Sequence, residues 1–205
     1  MKILVYDTET TWLPNSKEKD LSKQPYICQF AGVVWDLEDG VWTKTNEYNF
    51  LIKPPIPMPH EASAVHHIYD IDLIDAKPME EYIEEICSII NSVDLVVWHN
   101  VAFDNWIVQI EVKRMKALWK PVDFSPVNSF CTMNETKNFC KLKSKSWNWY
   151  KRPTLWELYK IVFNKSFKWG HDALVDVKAT GACFIELQKR GVIHPEMRIN
   201  RISLF

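Results

Sequence analysis

The chain has 205 residues and a mass of 24.2 kDa, a length that fits one domain with elaborations. Hydrophobic residues make up 47% and charged residues 25%, which excludes a largely disordered chain. Lys+Arg 25 against Asp+Glu 26 leaves a formal net charge of -1, so any contact with a polyanion must come from local clustering of charge.

In chain order, Ile3 to Tyr6 is a short apolar run that meets Asp7 at once, which suits a buried strand and no signal peptide. Tyr26 to Trp35 and Glu47 to Ile52 are two more strand candidates, with a turn signal at Asp39-Gly40 between them. Three strands in quick succession predict an antiparallel meander. Lys53 to Pro59 holds four prolines and can be neither helix nor central strand. From Met79 to Ile90 the pattern changes: Tyr82, Ile83, Ile86, Ile89 and Ile90 fall at helical spacing. Asp94 to Trp98 is again a buried strand. Helices follow from about Phe103 to Leu118, Thr154 to Phe163 and Asp172 to Arg190. Strands first, then helix, strand and helix, predict an α/β fold in which a mixed sheet, meander plus parallel strands, is flanked by helices. The five scattered cysteines, with no C-x-x-C pair, indicate reduced thiols and a cytoplasmic location. No stretch approaches the ~18 apolar residues of a membrane span.

Three acidic motifs carry the chemistry. In Asp7-Thr8-Glu9-Thr10, alternation along a strand turns Asp7 and Glu9 to one face, where two carboxylates repel unless a cation sits between them. In Trp98-His99-Asn100-Val101-Ala102-Phe103-Asp104, a strand exits into a helix and Asp104 falls in the first turn. The helix dipole alone would favour an acid there. His171-Asp172-Ala173-Leu174-Val175-Asp176 opens the last long helix. At ~100° per residue, His171 and Asp176 would lie about 140° apart on one helix, so His171 belongs to the entering loop. Asp172 has the simpler role of helix N-cap.

In this order, D-x-E, H-N-x-x-F-D and H-x-A-L-x-D resemble the DEDDh family of 3′→5′ exonucleases, over about Lys2 to Gln188. Ala64 to Ile68 is similar to the family's short helix before its second motif, and Thr154 to Leu158 to the helix before its third. The resemblance implies the RNase H-like exonuclease fold and release of nucleoside 5′-monophosphates from 3′ ends. It implies Asp7, Glu9, Asp104 and Asp176 as ligands of two divalent cations, Mg²⁺ or Mn²⁺, with Asp7 bridging them. His171 would be the general base, and Glu9 would also hold the terminal 3′-hydroxyl region. Thr8, Thr10, His99, Asn100 and Phe103 would line the substrate site. One departure stands out: Cys131 replaces an acid of many relatives, without touching the metal set.

Lys137 to Arg152 holds six cations and no acid, interleaved with Phe139, Trp147, Trp149 and Tyr150. That composition suits a strand's phosphates and bases, with Lys143, Lys145 and Trp147 as the contacts. The alternative is a solvated loop with its aromatics tucked into the core. The domain is expected over 1–192, with a tail over 193–205. The tail's last five residues, R-I-S-L-F, resemble the peptide that docks on the bacterial sliding clamp, through Ile202, Leu204 and Phe205. That resemblance favours DNA over RNA and suggests proofreading or another part in DNA replication. A ribonuclease like RNase T or oligoribonuclease, and a domain that binds nucleic acid or polymerase without catalysis, are the rival functions.

Overall fold

The computed structural model describes residues 1–125, 128–144, 149–167 and 172–195. In chain order the elements are β1 (Lys2–Thr10), β2 (Ile27–Glu38), β3 (Val41–Lys53), α1 (His60–His66), β4 (Lys77–Pro78) and α2 (Ile83–Asn91). They continue with β5 (Leu95–Trp98), α3 (Val101–Ala117), β6 (Asn128–Cys131), α4 (Thr132–Glu135), α5 (Lys137–Cys140), α6 (Leu155–Phe163) and α7 (Ala173–Lys189).

Among the described residues the strands form one sheet in the order β4-β3-β2-β1-β5-β6. The meander is present, β1 and β2 pairing antiparallel and β2 with β3, around the turn at Asp39 and Gly40. Both turn residues adopt positive φ, 51° and 78°, the geometry that a tight hairpin requires. β5 then pairs parallel with β1, and β6 parallel with β5. The short edge strand β6 has too little apolar run to stand out in the sequence, and it was not expected.

Strand alternation divides the core in two. Leu4, Tyr6, Phe30 and Val96 face α2 and α3, together with Ile83, Ile86 and Ile90. Ile3, Val5, Ala31, Val33 and Val97 face the other way, against Leu158, Val177 and Phe184 of α6 and α7. β1 therefore lies between two helical layers, covered on both faces. Ile193 is 4% exposed and packs on the α7 side.

The acid-bearing strand is longer than its apolar run predicts. β1 continues through Asp7 and Glu9 to Thr10, because β2 offers partners all the way. At its end the register slips: Glu9 pairs with Gln29 and Thr10 with Ile27, leaving Cys28 as the extra residue of a bulge. Bulges bend a strand and re-aim its side chains, and this one lies beside the acids.

α7 approaches the sheet closely through Gly181, where an added Cβ would collide with the Trp35 ring. Gly181→Ala should cost about 1–3 kcal/mol by overpacking. Urea unfolding measures it, and an unchanged midpoint would mean that Trp35 moves aside freely.

Candidate active site

The odd-numbered residues of β1 face α7, so Asp7 and Glu9 emerge on that side at the carboxyl end of the strand. Ligands collect at such ends in α/β sheets. Thr8, between them, faces α3. There its backbone N–H and its hydroxyl both donate to Asp104 Oδ1, at 3.1 and 2.9 Å. Asp104 lies in the first turn of α3 and is 3% exposed. Its role is more than helix-dipole complement, because it is tied to the strand carrying the other two acids. Asp176 enters from the first turn of α7, whose N-cap is Asp172, accepting from Leu174 N and Val175 N. On the α3 side, with Asp104, Tyr6 is stacked on Phe30 and edge-on to Trp98, both with centroids 5.3 Å apart.

The electrostatics show that these acids are neighbours. Asp7 is held well above the ordinary carboxylate range, by burial first and then by Asp104, Glu9 and Asp176. Glu9 is pushed up to about 8, by burial and then by Asp176, Asp104 and Asp172. Asp104 is pushed up to about 7 by burial, against the two bonds from Thr8, which favour its charged form. Asp7 and Glu9 remain half-exposed by area, yet their surroundings hydrate the charged form poorly. Every charge that acts on Asp7 and Glu9 among the described residues is another carboxylate.

That donor chemistry fits a hard divalent cation: oxygen ligands only, and negative. The acids do not form a closed shell, since no three His, Cys, Asp or Glu side chains among the described residues are grouped to hold one ion. His171 lies outside the described residues, as do Lys145, Trp147, Ile202, Leu204 and Phe205.

Of the expected substrate contacts, several are committed elsewhere. The Thr8 hydroxyl serves Asp104, and the Thr10 hydroxyl donates to Trp12 O at 2.9 Å. His99 bonds Thr132 Oγ1 through Nδ1 at 2.9 Å and Pro153 O through Nε2 at 3.0 Å. Burial lowers its pKa to about 4, so the ring is neutral at pH 7. The Pro153 carbonyl can only accept, so Nε2 donates there, while Nδ1 contacts the Thr132 hydroxyl, which also donates to Trp98 O at 3.0 Å. Both nitrogens are used within the protein. His99 thus forms a structural tie that pins both ends of the excursion between Thr132 and Pro153. Asn100 stays exposed at the N-cap of α3 with no side-chain capping bond, and Phe103 is half-buried against the α3-side core.

The basic excursion begins with α4 and α5 and then doubles back. Lys151 N donates to Leu142 O at 2.7 Å, Ser144 N to Trp149 O at 3.2 Å, and Lys143 bridges to Tyr150. Lys143 and Trp149 are exposed, Trp149 by 70%. Phe139, by contrast, packs on the α7-side core, so for that aromatic the bland alternative holds. Lys151 pairs with Glu157 on α6, an acid outside the window. Cys131 is buried at the end of β6, next to the Thr132 that His99 holds.

A mixed sheet of this order, with acids delivered from one strand end and two helix starts, defines an α/β nuclease of the RNase H-like exonuclease fold. The chain belongs to the RNase T exonuclease family, whose family model matches residues 4–184. No curated protein sequence matches it significantly. Among solved structures it is similar to exonuclease X in complex with 5′-overhanging duplex DNA, with 20% identity over 97% of this chain and 98% of that one, at a TM-score of 0.61. It is also similar to the nuclease domain of 3′hExo, a DEDDh family member bound to rAMP, with 10% identity over 93% of each chain and a TM-score of 0.70. A third likeness is a 3′-exonuclease that recognises the 3′ end of a histone mRNA stem-loop, with 11% identity over 93% of this chain and 83% of that one, at a TM-score of 0.65. At these identities the structures show a shared fold.

The raised carboxylates set the pH dependence of the metal-free protein. Glu9 holds its proton up to about 8 in the fold, against an ordinary 4.5. Between those values the native state binds more protons than the unfolded one, so stability falls as pH rises. In chelator the melting temperature should decline across that window, and less steeply in Glu9→Gln. Saturating Mn²⁺ should raise it most at the alkaline end. Equal slopes in the two proteins would contradict the carboxylate crowding.

Proposed function

We propose that the protein is a metal-dependent 3′→5′ exonuclease that releases nucleoside 5′-monophosphates from DNA 3′ ends. The observation that carries this reading is the convergence of Asp7, Glu9, Asp104 and Asp176 from β1, α3 and α7, each acid within the electrostatic reach of another. Asp7, Glu9, Asp104 and Asp176 would hold two divalent cations, Mg²⁺ or Mn²⁺. Such cations supply charge stabilisation at the phosphodiester and lower the pKa of a water nucleophile. Thr8 keeps Asp104 oriented and favours its ionised form. His171 would take the proton from the attacking water as general base. Asn100 offers a polar contact at the start of α3. Lys143 and Trp149 offer a cation and a flat ring, with Lys145 and Trp147 between them in sequence.

DNA is favoured by the tail alone, since clamp docking through Ile202, Leu204 and Phe205 would raise the enzyme's concentration at a primer end. A part in replication or proofreading, and a cytoplasmic location, follow from that proposal. Among the described residues no helix is long and apolar enough to cross a membrane. An RNA 3′ end is the second reading, supported by similar structures that hold rAMP or recognise an mRNA stem-loop.

The test is incubation with 3′-labelled and 5′-labelled DNA and RNA strands, with Mg²⁺ or chelator, beside Asp7→Ala. Mononucleotides should appear from the 3′ label at once, from DNA faster than from RNA, and only with metal. Asp7→Ala removes several kcal/mol of transition-state stabilisation, about 10³-fold in rate. Faster release from RNA would select the second reading, and full activity of Asp7→Ala would remove catalysis from this site.

Lys143→Ala should lower the salt slope of single-strand binding by about 0.7, one phosphate contact. An unchanged slope would take Lys143 off the substrate path.

A further inference from the structure

Asp176 can act with Glu9 only if the first turn of α7 keeps its place against the sheet. One buried amide is built to do this. Gln29 lies on β2 directly opposite Glu9 in the antiparallel register and is 4% exposed. Its Oε1 accepts from Ala173 N at 3.2 Å, and its Nε2 donates to Asn49 Oδ1 on β3 at 2.9 Å. The reverse orientation would set an N–H against the Ala173 N–H, so the amide can sit only one way.

The first turn of a helix leaves backbone N–H groups without partners inside the helix. In α7, Asp172 Oδ1 takes those of Leu174 and Val175, and the Asp172 carbonyl takes that of Asp176. The Ala173 N–H remains. Ala173 is fully buried, so water cannot serve it, and a buried unpaired donor is costly. Gln29 is its acceptor.

We propose that Gln29 is a positioning residue of the exonuclease site, fixing the first turn of α7, and with it Asp176, relative to Glu9. The inference rests on the reading of the acids as a metal-binding set. The links run without a gap. Glu9 is registered to Gln29 by the β1–β2 ladder, and Gln29 is bonded to Ala173. Asp176 follows Ala173 by three residues, on the same side of the helix. Among the carboxylates acting on Glu9, Asp176 is the strongest. Farther along the same helix, Gly181 rests on Trp35, which shares the face of β2 that carries Gln29. That contact sets the helix's distance from the sheet, while Gln29 holds the end nearest the acids.

The residue type follows from the location. The acceptor must be neutral, since a carboxylate here would add a charge directly across from Glu9. It must also donate, to hold Asn49. A glutamine amide satisfies both requirements.

The test compares Gln29→Leu with Val162→Ala, a core truncation on α6 that destabilises the fold without touching this tie. Each protein is titrated with Mn²⁺ alone, followed by its melting temperature, and assayed for kcat and KM on a labelled oligonucleotide. Gln29→Leu should raise the Mn²⁺ midpoint about 10–100-fold, the range for residues that orient metal ligands, and lower kcat by a similar factor. KM should stay within about twofold, and Val162→Ala should shift melting temperature alone. If Gln29→Leu does not fold, Gln29→Asn, one methylene short of the helix, is read in the same way. Unchanged midpoint and kcat, or equal changes in Val162→Ala, would overturn the inference. Asp176→Asn separates the two layers: if it leaves the Mn²⁺ midpoint unmoved, the acid-set reading itself fails. If it abolishes the Mn²⁺ response while Gln29→Leu does not affect it, only the role of Gln29 fails.

Discussion

Carboxylates crowded into a poorly hydrated place repel one another, and this repulsion organises the whole carboxyl end of β1. Burial pushes Asp7, Glu9 and Asp104 toward holding their protons, and the neighbouring carboxylates push Asp7 and Glu9 farther the same way. A fold would discard such an arrangement unless something else held it together. Here a covered central strand, two helices approaching from opposite layers and a set of directed hydrogen bonds keep the acids in place. The tension can be relieved in two ways, by protons at low pH or by divalent cations near neutrality, and only the second prepares the site for phosphodiester chemistry.

The supporting contacts divide the work by face. On the α3 side, Thr8 gives both its backbone and its hydroxyl to Asp104. On the α7 side, the Gln29 side-chain carbonyl accepts from the Ala173 N–H. Neither residue carries charge, so each orients an acid, or the turn that bears one, without neutralising it. The bulge at Cys28 comes just past both devices in the ladder, after the Glu9–Gln29 pair. β1 is thus the reference rail, and the helices are registered to it one residue at a time.

Much of this was legible in the sequence because it rests on local pattern. Apolar runs marked the strands, helical spacing marked α2, and the capping residues Thr154 and Asp172 stood where the helices of α6 and α7 begin. The acid motifs were visible because each joins an acid to particular neighbours, D-x-E, H-N-x-x-F-D and H-x-A-L-x-D, in a fixed order along the chain. What escaped were partnerships across long separations. Nothing local to Thr8 says that its hydroxyl turns to Asp104 rather than to substrate. Nothing local to His99 says that Thr132 and Pro153 will take both its nitrogens. β6 was missed because a four-residue edge strand takes its identity from the neighbour it pairs with. The apolar run marks only the first part of β1; pairing with β2, not hydrophobicity, carries the strand through the acids.

The pin at His99 has a bearing on how such a protein can change over time. Thr132 and Pro153 are the two feet of the basic excursion, and one neutral ring joins them. Once the feet are joined, the length of chain between them matters little to the rest of the fold, because closing a longer loop costs only slightly more entropy than closing a shorter one. Exposed residues of the loop, such as Lys143 and Trp149, can be exchanged while Thr136 and Phe139 keep their places in the core and the sheet and its acids stay where they are. The exposed part of the excursion is in that sense a cassette, and a new substrate preference could arise there without any alteration of the catalytic end of the sheet.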